Sequence, residues 1–123
     1  MKLLLDTHAF LWWDSNDSCL PATLHAAIGS PGNEVYVSAV TVWEIAIKRA
    51  SGKLIFGASA AKAIEAHGFL PLPITVGHAE WAGGLPQLHR DPFDRLLVAQ
   101  AQMEGLVLVT VDAQILRYQV PHL

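Results

Sequence analysis

The chain has 123 residues, 52% of them hydrophobic and 15% charged, and eight Lys and Arg against eleven Asp and Glu leave a formal net charge of −3. One domain of this size buries roughly two-thirds of its unfolded surface, and such a composition excludes a disordered chain. The negative balance argues against a protein that coats nucleic acid through a basic face, yet leaves room for one that meets phosphate through a metal held by carboxylates. No apolar run approaches the ~18 residues of a membrane helix, and the run from Met1 stops at Asp6, too soon for a signal peptide. Cys19 stands alone, which fits a reducing compartment such as the cytoplasm, and reads as a small buried or half-buried thiol.

Residues 2–5 read as a buried strand, with Asp6 or Thr7 capping the apolar helix that follows. After a polar loop at 14–18, Pro21 opens a second helix to about residue 28, closed by the breakers at 29–33. Residues 34–38 form a second strand and about 41–50 a helix, opened by the capping-box pattern Thr41-Val42-Trp43-Glu44. A connector at 53–56 leads to a helix over 59–67 with Gly68 just beyond it. The prolines in Phe69-Leu70-Pro71-Leu72-Pro73 suit only an edge strand.

Residues 75–82 are helical, and a loop runs from 83 to 89. Asp91-Pro92 then starts a helix as cap and first position, with Phe93, Leu96, Leu97 and Ala101 forming its apolar stripe. Asp94, three residues after the cap, is placed to reach back to the cap N–H. Residues 107–110 form a buried strand, Asp112 caps a short final helix, and 118–120 add a last strand. Alternating strands and helices imply one α/β domain over residues 1–123, a three-layer fold with a central, mostly parallel sheet flanked by helices.

Asp6, Glu44, Asp94 and Asp112 share an address in that fold: each follows a strand or opens a helix, and those positions line the crevice at the carboxyl ends of a parallel sheet. Each alone is explained by capping. Together they pose a problem, since two carboxylates about 5 Å apart repel by roughly 3 kcal/mol at an effective dielectric of 20. A hard divalent ion, Mg²⁺ or Mn²⁺, relieves that repulsion and brings water able to attack a phosphate.

Four stretches carry a family resemblance. Leu3-Leu4-Leu5-Asp6-Thr7-His8, the run from Ser38-Ala39-Val40-Thr41 through Glu44 to Lys48, the run from Arg90-Asp91-Pro92-Phe93-Asp94-Arg95 to Ala101, and Val109-Thr110-Val111-Asp112 together resemble a PIN domain. More narrowly they resemble the VapC-type toxins of bacterial toxin–antitoxin pairs. The resemblance spans nearly the whole chain in order. It implies that Asp6, Glu44 and Asp94 hold a divalent metal with Asp112 as the usual fourth acid. It implies a homodimeric ribonuclease, silenced by a cognate VapB-type antitoxin that inserts a segment into the active groove.

Thr7 and Ser38 are hydroxyls beside these acids, suited either to orienting a ligand or to capping a helix. Lys48, Arg90 and Arg95 are candidate RNA contacts, with solvated charge or helical ion pairing as the plainer account of Lys48 and Arg95. His89 rims the groove beside Arg90, and His8 lacks a partner at zinc-like spacing. Trp12, Trp13, Trp43 and Trp81 suit base stacking less well than core or dimer packing. A phosphatase using Asp6 as nucleophile wants an acid where His8 stands, and a receiver-like domain wants an aspartate where the middle strand ends in Ser38-Ala39. The non-enzyme alternative is a binding module whose acidic pocket docks a basic partner peptide.

Overall fold

Strand β1 (Lys2–Leu5) is the axis of the computed structural model, which describes residues 1–57 and 59–123. It pairs in parallel with β2 (Glu34–Ser38) on one side and β4 (Val107–Val109) on the other, and β2 carries β3 (Leu70–Leu72) at the edge. The sheet order β3-β2-β1-β4 is therefore all parallel. Leu3, Leu4 and Leu5 are fully buried because β1 is covered on both faces, so its residues read as a continuous apolar run.

Two cores follow from the alternation of side chains along each strand. Leu3, Leu5, Val35, Val37 and Val109 pack with helices α1 (Thr7–Asp14), α2 (Ala22–Gly29) and α4 (Ala60–Ala66). Leu4 and Leu108 pack on the opposite face with α5 (Val76–Gly84) and α6 (Pro92–Glu104). Helix α3 (Ala39–Ala50) serves both, with Ile45 in the first core and Val40 in the second. This is the expected three-layer arrangement. The chain steps outward from β1 through β2 to β3 and then returns to the other side of β1, which puts a switch point at the carboxyl ends of β1 and β4.

Several local expectations are corrected. Helix α3 starts at Ala39, capped by Ser38, whose Oγ accepts the Val40 N–H at 3.0 Å. Thr41 and Glu44 therefore lie inside the helix and form no capping box. Residues 118–120 add no strand; Leu108 instead makes an isolated bridge with His122. The final helix is a single 3-10 turn, Ile115–Arg117, without a side-chain cap, and Asp112 Oδ1 accepts the Gln114 N–H just before it. Cys19 is exposed, since the 15–19 loop lies outside both cores. Trp12 and Trp13 are partly buried against the first core, whereas Trp43 and Trp81 are exposed.

Candidate metal centre

The carboxyl ends of the strands deliver the acids to one pole. Asp6 ends β1 and caps α1: its Oδ1 accepts the Ala9 N–H at 2.8 Å, and its backbone N–H extends the β1–β4 ladder to the Val109 carbonyl. The Thr110 hydroxyl also bonds the Asp6 carboxylate. The same Thr110 Oγ1 accepts the Asp112 N–H at 3.0 Å. Burial raises the Asp6 carboxyl above its ordinary value, with the Thr110 and Ala9 bonds opposing and the Asp112 charge adding to the shift.

Glu44 is 3% exposed, one turn into the buried face of α3. Thr7 donates its hydroxyl proton to Glu44 Oε1 at 2.7 Å and lies 3.1 Å from Thr41 Oγ1. With its only proton so used, Thr7 accepts from Thr41. Lys48 Nζ meets Glu44 Oε2 at 2.7 Å, an i,i+4 ion pair that raises the lysine pKa. Both Glu44 oxygens thus have protein donors.

Asp94 is placed differently. Asp91 Oδ1 alone caps α6, accepting the N–H groups of Phe93 and Asp94. The Asp94 carboxylate bonds not the cap N–H but His89, Nε2 to Oδ2, at 2.8 Å. Burial is the main cause that pushes the Asp94 pKa up to about 6; the His89 bond opposes it, and the charges of Asp91 and Glu44 add to it. Among the described residues, His89, Asp94 and Asp112 form a group whose candidate ligand atoms all lie within 4.8 Å of one another. Asp6 and Glu44 stand outside that span, and are linked to it through the electrostatic coupling of Asp6 to Asp112 and of Glu44 to Asp94.

The four expected acids therefore converge without forming a single shell. The donor set, two outward carboxylates and an imidazole backed by two further acids, fits a divalent cation. Thr7 holds Glu44, whereas Ser38 caps α3. Lys48 is ion-paired and Arg90 is exposed. Among the described residues Arg95 makes no ion pair, and its guanidinium is taken up by internal acceptors rather than solvent. It is 9% exposed, and its guanidinium donates to the carbonyls of Ala82, Leu85 and Pro86 and to Tyr118 Oη. Sequence reasoning missed the roles of Thr110 and His89. A hydroxyl two residues before Asp112 was a weak signal for the first, and only the return of the loop onto the start of α6 brings out the second.

A model of the PIN domain family matches residues 3–121. No curated protein matches the chain significantly. Among solved structures, a chain of VapBC2 from Rickettsia felis, bound to a DNA fragment from its promoter, superposes with a TM-score of 0.72 at 14% identity, covering 100% of this chain and 98% of the other. A toxin–antitoxin complex from Klebsiella pneumoniae gives 0.67 at 18%, covering 98% and 95%. VapBC-1 from nontypeable Haemophilus influenzae gives 0.65 at 18%, covering 100% and 97%. At these identities the likeness is one of fold.

Proposed function

The chain belongs to the PIN domain family, and on that footing we propose that it is a divalent-metal-dependent endoribonuclease of the cytoplasm, acting as the toxin of a toxin–antitoxin pair. What supports this reading is that Asp94 and Asp112 fall with His89 in one group of candidate ligand atoms, that the charges of Asp112 and Glu44 act on Asp6 and Asp94, and that Asp94 is raised to about 6. A charge cluster that costs the fold energy in the absence of a cation is the expected form of a metal site. Its similarity in fold to chains of solved toxin–antitoxin complexes supports the same reading.

A Mg²⁺ or Mn²⁺ ion bound there supplies a Lewis acid for the phosphodiester and lowers the pKa of an attacking water. Asp94 and Asp112 would hold it, while Asp6 and Glu44, bonded by Thr110 and Thr7, would add negative charge nearby. Arg90 stands exposed at the start of α6 and meets the RNA backbone. Trp43, 57% exposed and edge-on to Phe93 at a centroid distance of 5.1 Å, offers a face for a base. This chemistry needs no 2′-hydroxyl, so preference for RNA rests on binding and shape.

The Lys48–Glu44 pair at 2.7 Å also favours an ammonium or guanidinium at this pole. The cognate antitoxin is proposed to silence the enzyme by delivering a basic side chain there, in competition with the metal. Exposed Trp81, Val76 and Met103 give the surface for a homodimer. The test is incubation of the purified protein with mixed cellular RNA in Mg²⁺ or Mn²⁺, with EDTA as control. Discrete fragments that disappear with EDTA are expected. Intact RNA under every divalent ion, or cleavage indifferent to EDTA, overturns the proposal and leaves a binding module for basic peptides.

A further inference from the structure

We infer that His89 is itself a metal ligand, which makes this a mixed nitrogen–oxygen centre that prefers Mn²⁺ to Mg²⁺. The inference rests on the metal-dependent reading above and adds a donor that the four acids do not include.

Geometry is the first support. Ligands about 2.1 Å from an octahedral ion are separated by about 3.0 Å along an edge and about 4.2 Å across the centre. His89 Nε2 and Asp94 Oδ2 are 2.8 Å apart, and the candidate ligand atoms of His89, Asp94 and Asp112 all fall within 4.8 Å. The three donors are thus spaced close to the scale of one coordination sphere. Asp6 and Glu44 are less available, because the Ala9 N–H and the Thr110 hydroxyl hold the first and Thr7 and Lys48 hold the second.

The second support is how firmly the loop bearing His89 is built. The His89 N–H donates to Tyr118 Oη at 3.1 Å, and that hydroxyl donates in turn to the Pro86 carbonyl at 2.9 Å. Arg95 reaches the same hydroxyl at 3.0 Å and the carbonyls of Ala82, Leu85 and Pro86. A buried guanidinium and a buried tyrosine thus fix the backbone at His89, as the groups around a metal ligand do. A surface ion pair with Asp94 requires no such frame. With side chains 17% and 15% exposed, His89 and Asp94 remain open to an incoming ion.

In the free protein the imidazole N–H bonds Asp94. As a ligand His89 would be the neutral tautomer with its proton on Nδ1, which leaves the Nε2 lone pair for the ion. An imidazole donor favours Mn²⁺ and later metals over Mg²⁺, which prefers oxygen. His8 lies outside the group, exposed and tilted against Trp12 at a ring distance of 5.7 Å, and serves as a control.

The experiment loads the full chain with Mn²⁺ and records pulsed EPR for nitrogen coupling from a bound imidazole, with affinities measured by calorimetry. Coupling is expected in the wild type and in His8→Gln, and is lost in His89→Gln together with about tenfold or more of the Mn²⁺ affinity. His89→Asp keeps a ligand but loses the coupling, and shifts the metal preference toward Mg²⁺. Circular dichroism of each variant checks the fold. Mn²⁺ bound without nitrogen coupling, or coupling that survives in His89→Gln, overturns the inference and leaves the acidic metal site standing. No Mn²⁺ binding at all removes both.

Discussion

On one side of the acidic pole, Asp6 and Glu44 are buried, and the protein already supplies their hydrogen bonds through Ala9, Thr110, Thr7 and Lys48. On the other side, Asp94, Asp112 and His89 are partly buried, with His89 bonded to Asp94 and the Gln114 N–H to Asp112. The inner acids are preorganised: their geometry is set before any cation arrives, and they contribute a fixed field. The outer group has its charge only partly compensated, and burial holds Asp94 near a pKa of about 6. A cation stabilises the outer group most, because that is where protein donors are scarcest.

The largest expected effect comes from breaking the outer half. Asp94→Asn keeps the size and an acceptor for His89 but removes the charge. Activity on RNA is expected to fall by at least about 100-fold, with an unchanged circular dichroism spectrum. Activity within twofold of wild type would show that Asp94 holds no ion.

The pH dependence of the same residue sharpens the contrast. With its ordinary value at 3.8 and its folded value at about 6, Asp94 keeps a proton in the folded state that the unfolded chain has already released. Its contribution to metal-free stability therefore falls as pH rises from about 4 to about 6, and is constant above that. Metal affinity runs the opposite way, weakening by up to about tenfold per pH unit below 6 as proton and ion compete. Denaturant titrations at pH 4.5 and 7, on wild type and Asp94→Asn, test the first point: the slope assigned to Asp94 should vanish in the variant.

The inner half is tested through stability. Thr7→Val strips the hydroxyl from buried Glu44 and is expected to cost about 1–3 kcal/mol, read from urea unfolding, while Thr7→Ser costs less. Equal losses in the two variants would mean that packing, not the hydrogen bond, sets the cost. The smallest effect belongs to Lys48→Gln. Its side chain is 39% exposed, and the lost ion pair should change stability by no more than about 1 kcal/mol. A loss as large as that of Thr7→Val would show that the ion pair steadies buried Glu44 as much as the Thr7 hydroxyl does.

Much of this fold was legible from residue patterns. The Leu3-Leu4-Leu5 run, the Asp91-Pro92 start of α6 and the prolines of β3 each act through local chemistry, and these elements formed where they were read. The convergence of the four acids was equally accessible, because strand ends and helix starts in a parallel sheet share one rim. Local patterns misled where two neighbouring groups competed for the same role. Ser38 displaced Thr41 as the cap of α3, and once α3 began at Ala39, Glu44 was carried into its buried face.

Partners distant in the chain were decided by tertiary structure alone. Thr7 meets Glu44 across 37 positions, Arg95 meets Tyr118 across 23, and Thr110, just past β4, bonds Asp6 at the end of neighbouring β1. Asp94 turns to His89 because Arg95, a cation whose neighbours in sequence suggested solvent or phosphate, ties the end of α5 and the loop after it onto α6. The sequence determined which chemical groups reach the pole, since strand and helix periodicity carries that information locally. Which of them are satisfied there and which are left for a cation depended on hydrogen bonds between segments that become neighbours only when the sheet closes.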